Sequence, residues 1–119
     1  MKRLGELEAQ VMEKLWSSSE PMSVRAVLKG LNRKEAPAYT TIMTVLDNLH
    51  RKEMVERYRE GRAYLYRPAM SRVDFDATRM AEVYDQAGDR EAVLLKFVDS
   101  VSEDEADQIR RLLGGTGGH

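Results

Sequence analysis

A mainly α fold carrying one small β-hairpin is what the sequence predicts, and three observations predict it. Apolar residues recur at helical spacing from Leu4 to Lys52. The period then drops from 3.6 to 2 between Val55 and Arg67, and it becomes helical again after Ser71. The 119-residue chain is therefore expected to run as three helices, a hairpin and three more helices. This order divides it into a first domain over 1–70, a helical domain over 71–113 and a flexible Gly-rich tail over 114–119.

The first helix, Leu4 to Trp16, sets Leu4, Leu7, Val11 and Leu15 on one stripe with Met12 and Trp16 beside them, Trp16 being core. Ser17-Ser18-Ser19-Glu20-Pro21 ends it. Ser23 is an N-cap for a short second helix with Val24, Val27, Leu28 and Leu31, and Asn32 to Pro37 is a connector. The third helix, about Tyr39 to Lys52, places Ile42, Val45, Leu46 and Leu49 on one side. Thr40, Thr44, Asp47 and Arg51 lie opposite, with Met43 on one flank and Thr41 and Asn48 on the other.

Val55–Arg59 and Arg62–Arg67 alternate and are rich in strand formers. Glu60-Gly61 is the expected turn, bracketed by Arg59 and Arg62, and Pro68 stops the second strand. Ser71-Arg72-Val73-Asp74 caps the fourth helix, in which Val73, Ala77, Met80 and Tyr84 share a face and which Gly88 ends. Asp89 caps a fifth with Ala92, Val93, Leu94, Leu95, Phe97, Val98 and Val101. Ser102 to Glu105 is a capping box for a sixth with Ala106, Ile109, Leu112 and Leu113, and Gly114 stops it.

Composition excludes several functions. Cysteine is absent, which removes disulfides, thiolate metal sites and cysteine catalysis. His50 and His119 form no cluster, so no metal and no cofactor is expected. No Ser/His/Asp order, paired-carboxylate motif or phosphate loop is visible, so the chain is not expected to be an enzyme. No apolar run reaches the ~18 residues of a membrane span, and no leader is seen. A cytoplasmic protein without membrane insertion follows. The net charge of −1 conceals a split. Residues 1–70 hold 13 Lys and Arg against 9 Asp and Glu, whereas residues 71–119 hold 6 against 11. The basic front suits a polyanion and the acidic back does not.

Three short helices followed by a hairpin is the layout of a winged helix, a helix-turn-helix variant whose third helix enters the DNA major groove while the hairpin reaches the backbone. The hydroxyls of Thr40, Thr41 and Thr44 near the start of this helix are then the base-reading candidates. Small hydroxyls let the backbone come close to base edges, and the methyl groups meet thymine. Tyr39, Arg51, Lys52, Arg59 and Arg62 sit where backbone contacts position the protein without reading sequence. Asp47 either accepts from a cytosine amino group or pairs with Arg51 at i+4, and the pairing is the expectation. Tyr39, Tyr58, Tyr64 and Tyr66 could stack single-stranded bases, but the hairpin tyrosines are expected to pack across strands instead. By itself a threonine cluster is a cap or a solvated face, and two arginines at a turn are ordinary solubilising residues. Only their order and the charge split point together to DNA.

The acidic half offers apolar surface rather than ligand chemistry. Val73, Met80, Tyr84, Leu94, Leu95, Phe97, Val98, Ile109, Leu112 and Leu113 are more than three short helices readily bury alone, so a homodimer built on them is expected. A two-fold dimer also matches a palindromic operator. The competing reading folds these helices back on the first domain. Rivals of another class are a protein–protein module and a regulator that senses a ligand directly.

The chain resembles the penicillinase-repressor family of BlaI/MecI type over nearly all of residues 4–113. The resemblance rests on Leu4-Gly5-Glu6-Leu7-Glu8 with Val11-Met12 and Leu15-Trp16, on Ala38-Tyr39-Thr40-Thr41-Ile42-Met43-Thr44-Val45-Leu46 with Leu49, and on Lys52-Glu53-Met54-Val55. It implies a homodimeric winged-helix repressor of dyad operators. The reading roles implied are those of Thr40, Thr41, Met43 and Thr44, with backbone roles for Arg51 and the Arg59–Arg62 wing. It further implies control of β-lactam-resistance genes by a membrane-bound metallopeptidase sensor that cuts the C-terminal helices. The bond matching the Asn-Phe cut of staphylococcal-type members is Lys96-Phe97, where lysine departs from the pattern. Copper-responsive relatives use C-terminal cysteines, which this chain lacks.

Overall fold

The computed structural model describes residues 4–31 and 37–114. Most of the expected connector, residues 32–36, and the tail from residue 115 onward lie outside the described residues. The elements run α1 (Glu6–Ser17), β1 (Met22–Ser23), α2 (Val24–Gly30), α3 (Tyr39–Arg51), β2 (Val55–Glu60), β3 (Ala63–Pro68), α4 (Arg72–Gln86), α5 (Arg90–Ser100) and α6 (Glu103–Gly114). The fold is mainly α with a small antiparallel sheet, as the periodicity predicts. The sheet has three strands in the order β1-β3-β2. The extra strand, β1, pairs Met22 with Tyr66 and Ser23 with Leu65, and two residues are too few to show a period.

α3 owes its shape to packing. Five of its 13 residues are β-branched, a composition that disfavours an isolated helix. Ile42, Val45, Leu46 and Leu49 are buried, and they meet Val11, Met12 and Leu15 of α1 and Val24 and Val27 of α2 in one core. Removing a side chain such as Leu46, with no exposed surface, down to Ala would cost about 2–5 kcal/mol.

The chain leaves α3 through a tight reversal. Lys52 is the C-cap. Glu53 N–H donates to His50 O at 3.0 Å and Met54 N–H to Leu49 O at 2.9 Å, the paired bonds of a Schellman motif. Glu53 occupies the left-handed position with φ 61°, which glycine usually fills. Met54 and Leu49 are both buried beneath the turn, and Val55 enters β2 directly.

The local caps form where the sequence places them. Ser23 accepts from Ala26 N–H at 3.1 Å, Ser71 from Asp74 N–H at 3.0 Å and Asp89 from Ala92 N–H at 3.0 Å. Ser102 and Glu105 close a reciprocal box at 3.0 and 3.1 Å. α4 ends at Gln86, two residues before the expected Gly88, and Gly114 is the last residue of α6 rather than its stop.

Two compact units divide between Ala77 and Thr78, partway along α4. The first turns of α4 belong to the N-terminal unit because Phe75 is buried there, 5.4 Å from the Trp16 ring between centroids. Trp16 is half-buried and donates its indole N–H to Met70 O at 3.0 Å. Arg72 lies over the same indole, 5.6 Å from the ring centroid, and pairs with Glu13. In the C-terminal unit, α5 and α6 contain no buried residue.

Candidate nucleic-acid interface

Burying one side of α3 decides what the other presents. Thr40, Thr41, Met43, Thr44, Asp47 and Arg51 are all exposed, so the four expected base readers share the solvent side of the helix. Thr44 Oγ1 donates to Thr40 O at 3.1 Å, which fixes its rotamer and leaves the hydroxyl lone pairs to accept. Met43 is 44% exposed, a large apolar group to leave wet without a use. The N-cap is Ala38, which makes no side-chain cap, whereas α2, α4, α5 and α6 each have one. Among the described residues no side chain caps the first N–H groups of α3, which suits an anion.

The wing stands beside this face. β2 and β3 pair from Val55–Pro68 at the base to Glu60–Ala63 at the tip. The loop is Gly61-Arg62, one residue later than Glu60-Gly61, and β3 begins at Ala63. Gly61 has φ 66° as the first of two loop residues, the requirement of a type II′ turn. The later turn leaves Arg62 exposed at the tip and Arg59 exposed on β2, 5.2 Å above the Tyr64 ring. Tyr64 and Tyr66 are neighbours along β3, 6.3 Å between centroids, rather than partners across the hairpin.

Asp47 does not pair with Arg51. Its Oδ1 accepts from Arg57 Nη1 at 2.7 Å, while Arg51 donates to Asn48 Oδ1. Arg57 reaches across from β2 with its guanidinium 4.4 Å over the Tyr64 ring. Burial works against its charge, but hydrogen bonds to Tyr66 and Asp47 outweigh burial and hold it above the usual arginine range. Burial likewise raises the Tyr66 hydroxyl, an effect that Arg57 partly offsets.

The remaining backbone candidates divide. Tyr39 is exposed at the start of α3, with the Arg25 guanidinium 5.6 Å over its ring. Lys52 turns to α1, its Nζ 2.7 Å from Glu8 Oε1, so its charge is answered inside the fold. Burial raises the Glu8 carboxyl, but the bonds from Lys52 and from Gly5 N–H hold it below the usual glutamate range.

In the C-terminal unit and α4, Val73, Met80, Leu94, Leu95, Phe97, Val98, Ile109, Leu112 and Leu113 are all exposed. Tyr84 is half-buried, with the Arg90 guanidinium 4.3 Å over its ring. Lys96 and Phe97 are exposed in the second half of α5. Among the described residues no helix is long and apolar enough to cross a membrane, and no group of three His, Asp or Glu converges to hold a metal.

Residues 4–115 match the family described as penicillinase repressor. The chain belongs to the penicillinase-repressor family. A Mycobacterium tuberculosis relative, transcriptional regulator BlaI, is 45% identical over 114 residues, 93% of this chain and 83% of that one. The solution structure of the DNA-binding domain of the repressor BlaI is 28% identical, with a TM-score of 0.53 over 62% of this chain and 93% of that one. The solution structure of Bacillus licheniformis BlaI in its monomeric form, in complex with the blaP half-operator, is 27% identical. Its TM-score is 0.50 over 61% of this chain and 88% of that one. As a member of the penicillinase-repressor family, this chain is a transcriptional repressor with a DNA-binding winged helix, and not an enzyme.

Two cations of this penicillinase-repressor chain escape the sequence analysis. Arg25 is exposed on α2, opposite Val24 and Val27, and a helix that crosses the DNA backbone in helix-turn-helix proteins is where such a cation counts. Arg57 belongs to the face of β2 shared with Arg59, a signal that strand alternation carries.

Proposed function

We propose that this chain is a homodimeric repressor that lays α3 into the major groove of each half of a palindromic operator. The observation that carries the reading is the exposed row of Thr40, Thr41, Met43 and Thr44 on a helix whose opposite side is core, beside an arginine-tipped wing. Thr40, Thr41 and Thr44 bond base edges, Met43 meets thymine methyls, and the N-terminus of α3 takes a phosphate. Tyr39, Arg51, Arg59 and Arg62, with Arg25 added, grip the backbone. Lys52 serves by pinning α3 to α1 through Glu8.

The bare helices of the C-terminal unit support the dimer. Neither α5 nor α6 buries a residue in one chain, although the unit carries Leu94, Leu95, Phe97, Val98, Leu112 and Leu113. A second copy supplies the missing cover at about 1.5–3 kcal/mol for each large side chain fully removed from water. The half-operator bound by the monomeric relative fits one reading helix per half-site.

Relief follows from the same arrangement. In a single chain Lys96-Phe97 lies in a helix without buried residues, so a copy that has left its partner opens cheaply to a protease and, once cut, cannot pair again. Cutting there would separate the two readers and remove the avidity of tethering, about 10²–10⁴-fold in affinity, without touching α3. Membership of the penicillinase-repressor family is what supports control of β-lactam-resistance genes by a membrane-bound metallopeptidase sensor, with the repressor itself in the cytoplasm beside its DNA.

A footprint on the DNA upstream of the chain's own gene tests the reading. Protection of two inverted half-sites is expected. Ending the chain after Lys96 is expected to reduce operator affinity at least ~100-fold. Unchanged affinity in the shortened chain would refute the dimer mechanism.

A further inference from the structure

We propose that Asp47 and Arg57 are positioning residues that set the ratio of operator to non-operator binding, by withholding one arginine from the phosphates and fixing the wing against α3. The inference rests on the placement of α3 in the groove given above.

A carboxylate is out of place on a DNA-reading face. Asp47 lies three residues after Thr44 and seven after Thr40, so it shares their side of the helix, and its side chain is 52% exposed. Left alone, it would oppose a phosphate on any sequence. The structure answers it with Arg57, at 2.7 Å, from the neighbouring strand. Arg57 is in turn restrained by the Tyr64 ring at 4.4 Å, which makes the pair a strut from the reading helix to the hairpin.

Stability does not explain the strut, because a partly exposed ion pair of this kind contributes little to folding. Binding does. A loose arginine at this position would contact phosphate wherever the duplex lies, which strengthens operator and random DNA alike. An arginine locked to Asp47, with Tyr64 and Tyr66 beside it, gives up that contact. In exchange it holds the wing at one distance from α3, and that helps only where base contacts and backbone contacts are made in the same register. The effect is therefore on discrimination rather than on total affinity.

The test compares the full-length wild type with Asp47→Asn, Arg57→Gln, the double variant and Asp47→Glu. Each is titrated with a random-sequence duplex and with the duplex protected upstream of the gene, between about 50 and 200 mM salt. Asp47→Asn is expected to steepen the salt slope by about 0.9 per chain and to bind random DNA about eightfold more tightly near 0.1 M salt for each chain whose wing meets the duplex, about 60-fold where both do, as one added phosphate contact per chain requires. Operator affinity rises less, so the ratio falls about threefold or more. The double variant returns the slope to the wild-type value while the ratio stays low. Asp47→Glu keeps the pairing and the wild-type slope. A gain in random-sequence binding cannot come from damage to the fold. Asp47→Asn with unchanged slope and ratio, or with both affinities reduced together, would overturn the inference. Wild-type protein without salt-dependent DNA binding would instead overturn the placement of α3, and the wild-type titration alone reveals that case.

Discussion

Phe75→Ala is the substitution whose cost the structure fixes best. Phe75 is 6% exposed and meets Trp16 at 5.4 Å, at the margin of the N-terminal core rather than its centre. A buried Phe→Ala change costs about 3–5 kcal/mol, and a marginal site belongs near the lower end, about 3 kcal/mol. For a unit of this size 1 kcal/mol moves the melting temperature by about 4–8 °C, so a drop of roughly 12–24 °C is expected. Val73→Ala, two residues away at 75% exposure, should stay within about 0.5 kcal/mol of wild type. Trp16 is the sole tryptophan, and its emission follows the unfolding of this unit in denaturant. The same reasoning places the domain boundary: a chain ending after Met70 lacks Phe75 and Arg72 and should be less stable than one ending after Ala77. A loss under about 1 kcal/mol for Phe75→Ala, or equal stability of the two shortened chains, would refute the idea that α4 begins as part of the DNA-binding unit.

Other expectations follow from the same geometry. Because Glu8 titrates lower in the folded chain than in the unfolded one, its pairing stabilises fully above the usual glutamate pKa of ~4.3, and the contribution disappears as pH falls through the lowered folded value. The stability gap between wild type and Glu8→Gln should accordingly close between neutral and strongly acidic pH in denaturant titrations, and a gap independent of pH would count against it. Thr44→Phe should weaken operator binding by about 1–3 kcal/mol with random-sequence binding nearly unchanged, whereas Arg62→Ala should weaken both and flatten the salt slope by about 1, as read from gel shifts at several salt concentrations. Glu53 already bears the cost of about 1–2 kcal/mol that φ 61° imposes on a side chain, so Glu53→Gly is expected to relieve strain and Glu53→Val to lose further stability in chemical denaturation.

What the sequence makes legible is what depends on near neighbours. The caps at Ser23, Ser71, Asp89 and Ser102 each join residues three apart, so they are visible in a string of letters. The apolar stripe of α3 is similarly local, and it decides which residues face outward. Phe75 is not legible in this way. It lies about 200° around the helix from Val73, so the stripe through Val73, Ala77, Met80 and Tyr84 points to a different face from the one that packs on Trp16. β1 is too short for any period, and its pairing with β3 is dictated by a partner more than 40 residues on. Asp47 has a plausible local partner at i+4 in Arg51. The hairpin supplies a better one ten residues away, and only the register of β2 beside α3 reveals it.

The charge arrangement gives the proposed dimer a quantitative signature. Arg25, Arg51, Arg59 and Arg62 are the exposed cations assigned to the backbone, and Arg57 is set aside by Asp47. Four phosphate contacts per chain give a slope of log affinity against log salt of about −3.6, and two chains on one operator give about −7. On the proposed reading, a single chain with so few contacts would bind weakly at physiological salt, and separating two copies would release the operator. The acidic surplus of residues 71–119 fits the same scheme, since Glu103, Asp104 and Glu105 occupy the first turn of α6, where they complement the helix dipole and add nothing to DNA attraction. The full chain and the chain ended after Lys96 should therefore differ about twofold in salt slope on the same operator. Equal slopes would mean that one chain makes all the contacts, and the paired-reader mechanism would fall even if the affinities differed.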